Sequence, residues 1–138
     1  MKEITIQDYL RTIYHLSEEN KTDDVSSVDI QRYLDLSKSS VSEMIKKLAK
    51  ENLIHAKPYG KVKLTKSGLS SSCDITRKHR IIEVFLREIL KIKAEKIHEE
   101  AHRLEHAFSD DSINSIYKII HNKKSCPHGK EILLRKED

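Results

Sequence analysis

Only five residues of this 138-residue chain are glycine or proline, and two of them, Pro58 and Gly60, enclose a single tyrosine. Such sparse punctuation argues against a many-stranded sandwich and predicts a mainly helical chain with one conspicuous tight turn. After that turn Lys61-Val-Lys-Leu64 alternates polar and apolar side chains, so Leu53–Leu64 reads as a small β-hairpin. Before it the apolar period is helical. Ile6, Leu10, Ile13, Tyr14 and Leu16 predict a first helix over Thr5–Glu19. Ser26 or Ser27 can cap a short second helix carrying Val28, Ile30 and Leu34. Ser37–Asn52 predicts a third, with Val41, Met44, Ile45 and Leu48 on one stripe and serines and lysines opposite. Beyond the hairpin, a long helix is expected from Thr65 to about Leu90, then Ala94–Phe108, Asp110 to about His121, and a polar tail over Asn122–Asp138.

Two helices, a short turn, a serine- and lysine-rich helix and a hairpin make up a winged helix-turn-helix. The charge pattern fits it. Residues 36–72 hold eight Lys and two Glu, a local charge of +6, in a chain whose net charge is only +4. A basic block that coincides with the third helix and the hairpin points to a polyanion, and for this architecture to double-stranded DNA. On that reading Ser37, Ser39, Ser40 and Ser42 offer short hydroxyls near the start of the recognition helix. Lys38, Lys46, Lys47, Lys61 and Lys63 meet phosphates. No Arg, Asn or Gln lies between Ser37 and Lys50, so bidentate base reading is not available there.

The second half carries different chemistry. Six of the eight histidines follow residue 78. On an ideal helix over 94–108, Ile97, Ala101, Leu104 and Phe108 share an apolar face, while His98, His102, Glu105 and His106 occupy an adjacent arc of about 100°. Three imidazoles and a carboxylate on one arc can converge on divalent cations, and His79 with Glu83 forms a further i, i+4 pair. His102-Arg-Leu-Glu-His106 also spells a short metallopeptidase pattern, but behind a winged helix it lacks any substrate-cleft domain, and no enzyme is expected. The wide apolar surface of Ile81–Leu90 is expected to bury a partner chain as well as the chain's own core. Cys73 reads as a small buried residue. With two cysteines, no membrane-length apolar run and an acid in the N-terminal MKEITIQDYL, a reduced, cytoplasmic protein is expected.

These residues resemble the diphtheria-toxin-repressor (DtxR/MntR) family of metal-dependent transcriptional regulators. Asp8–Tyr14 resembles its first helix, Ser37–Ser42 its recognition helix and Leu64–Gly68 the exit from its wing. Arg77–Arg80 with Glu83, then Leu104–His106 followed by Ser109-Asp110, resemble its two metal-bearing helices. The resemblance implies a homodimer with a winged-helix DNA-binding domain over residues 1–72. It implies a helical dimerisation and metal-binding domain over 73–138, in the short form without an SH3-like domain. It further implies a repressor that controls metal homeostasis through an operator, with iron(II) or manganese(II) as effector.

Carried across by residue, the primary metal site would be Asp8, His102, Glu105 and His106. The second would contain His79, Glu83 and His98, with Cys126 and His128 completing it. Position 8 is Asp as in the manganese-responsive branch. His102 stands where the family has Cys or Glu, and Arg11 where the manganese branch has Glu. The competing expectation is a metal-independent winged-helix regulator that answers to another ligand or partner.

Overall fold

The computed structural model describes residues 5–120. They form two compact units divided between Cys73 and Asp74.

In the first unit α1 (Ile6–Asn20) starts at a capping box: Thr5 Oγ1 accepts the Asp8 N–H at 3.3 Å, and the Asp8 carboxylate accepts the Thr5 N–H at 2.7 Å. It ends on Lys21 in the left-handed region at φ 52°. A two-residue strand β1 (Val25–Ser26) follows, and Ser26 then caps α2 (Ser27–Leu34). Asp35, also left-handed, turns the chain into α3 (Lys38–Lys50), capped by Ser37, whose Oγ accepts the Ser40 N–H at 3.2 Å.

β2 (Ile54–Lys57) and β3 (Lys61–Leu64) are the two arms of the wing, joined by a single 3-10 turn over Pro58–Gly60. The sheet is antiparallel in the order β1-β3-β2, with Ile54 opposite Leu64 and Lys57 opposite Lys61. Like charges across a strand pair are unfavourable. Here Asp24 offsets them, holding Lys57 Nζ at 2.8 Å. The core beneath is Tyr9, Leu10, Ile13, Val25, Ile30, Val41, Leu48, Ile54 and Val62, one or more from every helix and strand of the winged helix.

The exit from the wing depends on one glycine. Thr65 donates its N–H to Leu53 O at 3.0 Å and its hydroxyl to Asn52 O at 2.8 Å. A Cβ on Gly68 would lie 1.9 Å from that same Leu53 oxygen, so no side chain fits there.

α4 (Lys66–Glu88) starts in the first unit and continues into the second, which adds α5 (Ala94–Glu105) and α6 (Asp110–Ile119). Its core is mostly isoleucine: Ile81, Ile82, Ile97, Ile113, Ile116 and Ile120, with Val84, Leu86 and Ala101. Ile89, Leu90 and Ile119 stay exposed. No helix of the described residues is long and apolar enough to cross a membrane.

The predicted architecture, a winged helix-turn-helix followed by a helical region, is the one observed. Several boundaries move. α3 ends at Lys50 rather than Asn52, because Asn52 turns left-handed at φ 60°. α5 stops at Glu105, not Phe108: His106 is its C-cap, and the N–H groups of Ala107 and Phe108 both close on Leu104 O at 3.0 Å. Strand β1 is too short to show any alternation and was not foreseen. Cys73 is half-buried rather than buried. Cys126, His128 and the tail lie outside the described residues.

Candidate metal centre and nucleic-acid interface

Glu105 closes α5 with its side chain wholly buried, and it gathers imidazoles from two helices. Its Oε2 lies 2.8 Å from His79 Nδ1 on α4. Its Oε1 lies 3.4 Å from His106 Nε2 and 4.0 Å from His102 Nε2 on α5. His102, Glu105 and His106 each offer a donor atom within 4.8 Å of the others.

The second group is His79, Glu83 and His98, again within 4.8 Å of one another. His79 Nε2 stands 3.4 Å from Glu83 Oε1 and 3.3 Å from His98 Nδ1, and the two rings meet edge to face at 4.9 Å. Helical spacing alone set His98 beside His102, Glu105 and His106. The fold instead turns it toward α4, because Ile97 and Ala101 pack into the core of the second unit.

Both ring nitrogens of His79 face a carboxylate, and the shorter distance, 2.8 Å to Glu105 against 3.4 Å to Glu83, favours the neutral tautomer with its proton on Nδ1. Nε2 then directs a lone pair at the Glu83 carboxylate and the His98 ring. That position can take a proton from the His98 ring or a divalent cation shared with Glu83. An imidazole whose other N–H is fixed by a carboxylate is the usual way such a donor is oriented. Among the described residues the donors are imidazoles and carboxylates, a set that suits first-row divalent metals. The residues therefore fit a metal on chemical grounds.

The link between His79 and Glu105 escaped the sequence reading. It joins residues 26 positions apart, and no local period carries it. Asp8 lies in α1, 2% exposed, with its carboxylate also accepting from Thr5 Oγ1 at 3.0 Å.

The basic face belongs to the first unit. Val41 and Leu48 of α3 are buried, while Lys38, Ser39, Ser40, Ser42, Lys46 and Lys47 are exposed. Ser37 caps the helix, and its hydroxyl also meets those of Ser39 at 3.2 Å and Ser40 at 3.0 Å. Lys61 is exposed on β3, whereas Lys63 is half-buried.

Comparison with known proteins agrees with this division. The family model described as the N-terminal DNA-binding domain of the iron-dependent repressors matches residues 3–62. The model of their metal-binding and dimerisation domain matches residues 65–134. The chain belongs to the iron-dependent repressor family.

Among relatives in this family, the diphtheria toxin repressor of Corynebacterium glutamicum is 31% identical over 128 residues, covering 93% of this chain and 55% of the relative. The chain thus spans about half the length of that repressor. An HTH-type transcriptional regulator of Methanocaldococcus jannaschii is 33% identical over 112 residues, 81% of this chain and 89% of the relative. A manganese-dependent transcriptional repressor solved in complex with manganese superposes with a TM-score of 0.84 at 35% identity, over 93% of this chain and 58% of that one.

Proposed function

We propose that this iron-dependent repressor family member is a metal-responsive, DNA-binding transcriptional repressor that controls metal homeostasis, with iron(II) or manganese(II) as its effector. The observation that carries the reading is the convergence of two buried carboxylates, Glu83 and Glu105, on His79, with His98, His102 and His106 around them. Imidazole and carboxylate donors gathered this closely are the chemistry a divalent cation takes, and a metal-independent regulator gives no reason for their convergence.

His102, Glu105 and His106 supply the primary donors. Asp8 joins them in this reading, through the resemblance of Asp8–Tyr14 to the first helix of the family. His79, Glu83 and His98 supply the second set, with Cys126 and His128 as candidates to complete it. Bound, the cation would add positive charge beside Glu83 and Glu105. Glu105 accepts from His79 and so fixes that ring; His79 in turn presents Nε2 to Glu83 and His98. Because Asp8 belongs to the winged helix and the other donors to the helical unit, occupancy would favour the arrangement that matches two half-sites about one DNA turn apart. A coupling of ~1–3 kcal/mol corresponds to roughly 5–150-fold in DNA affinity.

The DNA face is Ser37, Lys38, Ser39, Ser40, Ser42, Lys46 and Lys47 with Lys61 and Lys63 of the wing. Exposed Ile89, Leu90 and Ile119 support a homodimer. The reading places the protein in the cytoplasm and gives His102-x-x-Glu105-His106 no peptidase role.

Gel-shift titration with a duplex selected from a random pool, under anaerobic conditions and across metals at buffered free concentration, tests this. Operator affinity should rise with iron(II) or manganese(II) and fall with chelator. Equal affinity in both arms would refute the metal response. Asp8→Ala should keep metal binding through the helical donors yet lose most of the coupling to DNA.

A further inference from the structure

Tyr59 is not among the residues assigned to DNA above, yet at 99% exposure it is the most exposed large hydrophobic side chain of the described residues. It occupies the tip of the wing with φ 62° and ψ 32°, in the left-handed region where glycine or asparagine rests without the penalty a bulky residue meets. Pro58 precedes it, and Gly60 follows at φ 69°, where a Cβ would come 2.8 Å from Ser27 Oγ. The turn is therefore held tight from both sides, and the ring covers no part of the core. The fold gains no packing from this strained aromatic; a partner that buries it does.

The surroundings say what partner. Lys57, Lys61 and Lys63 flank the tip, and Lys57 is already paired with Asp24. A ring presented beyond the lysines of β3 matches a ligand that combines an anionic rim with apolar walls. Duplex DNA has that character in its minor groove, which at about 6 Å is too narrow for a helix or a two-stranded ribbon but admits one side chain from a hairpin tip. Proteins that use this groove commonly insert apolar side chains there.

We propose that Tyr59 is a DNA contact, its ring packing into the minor groove against sugars and base edges while Lys61 and Lys63 hold the flanking phosphates. This rests on the DNA-binding reading above.

The test uses the full chain with manganese(II) and the selected duplex. Tyr59→Asn places a residue suited to the left-handed region, so its melting temperature should equal or exceed that of the parent. Its DNA affinity should nevertheless fall by about 5-fold or more, as loss of a buried aromatic side chain implies. Because no phosphate contact is lost, the slope of log affinity against log salt should stay that of the parent. Tyr59→Phe keeps the ring and should bind within about twofold of the parent.

The chain has no tryptophan, so Tyr59→Trp gives a single reporter at the wing tip. Its quenching by acrylamide should drop when the duplex is added. Parent-like affinity of Tyr59→Asn, or unchanged quenching of Tyr59→Trp on a bound duplex, would overturn the contact and leave the proposed function standing. A flattened salt slope in Tyr59→Asn would overturn it too, by assigning the loss to phosphates. If the parent itself binds no duplex with any metal, the proposed function fails and this inference with it.

Discussion

The two units bury charged side chains to different extents, Asp8 and Arg11 in the first against a cluster of five in the second. The first is closed by apolar residues drawn from its helices and its sheet, from Tyr9 to Val62, and sends its serines and lysines outward. The second has an isoleucine-rich core but also buries Arg77, His79, Arg80, Glu83 and Glu105. Apolar burial is indifferent to ions. A buried histidine between two carboxylates is not, because its cost depends on the charge that accompanies it. On the proposed reading the first unit presents the DNA-facing surface and contributes Asp8, while the second holds the other donors for the cation.

The comparison breaks or holds first on core truncation. Leu48→Ala in the first unit and Ile113→Ala in the second each remove a side chain buried to 1% exposure or less and should each cost about 2–5 kcal/mol. Manganese(II) at about a hundred times its dissociation constant adds ~2.7 kcal/mol to whatever it binds. Thermal denaturation should show that increment rescuing Ile113→Ala more than Leu48→Ala. Equal rescue in one shared transition would mean that the units do not differ in this way.

Next in size is the response itself. Glu105→Gln keeps the shape of the side chain but removes the charge that His79, His102 and His106 face. Metal-dependent DNA affinity should lose most of a coupling of ~1–3 kcal/mol. Dimer mass by light scattering in chelator, and weak nonspecific binding, should stay as in the parent. A Glu105→Gln protein that answers to metal normally would remove this carboxylate from the centre.

A matched pair of helix caps sharpens the contrast on neutral ground. Ser37 accepts the Ser40 N–H at 3.2 Å in the first unit, and Ser109 accepts the Ser112 N–H at 3.1 Å in the second. Each Ser→Ala should cost about 1 kcal/mol in denaturant titration. Only Ser37→Ala should also weaken DNA binding.

The smallest effect concerns acid. Asp24 is held below the ordinary carboxylate range, chiefly by its hydrogen bond from Lys57. A carboxyl with a depressed folded-state pKa adds stability above its unfolded value and loses it as pH falls through the folded one. Asp24→Asn should therefore lower the neutral-to-alkaline plateau slightly and flatten the acid limb, meeting the parent at low pH. The pair is exposed, so salt should erase the difference.

The winged helix was almost wholly legible in the sequence, since its elements are specified locally. Ser26 and Ser37 cap helices whose apolar stripes follow within a few residues, and Pro58-Tyr-Gly60 forces a turn wherever it occurs. The residue types of the metal clusters were equally visible, as histidines and glutamates at helical spacing. Their grouping came from the family resemblance and not from the spacing, which set His98 beside His102. Whether His98 joins His102 or His79 depends on how α5 packs on α4, which Ile97, Ala101, Ile81 and Ile82 decide by burial. Strand β1 exists because Val25 and Ser26 find Val62 and Lys61 across more than thirty residues. The exposure of Tyr59 likewise follows from the hairpin as a whole. Local hydrogen bonds and φ preferences act over a few residues and can be read along the chain. The contacts that bring Glu105 to His79 are chosen by the shape of an assembled core, which exists only once the helices have docked.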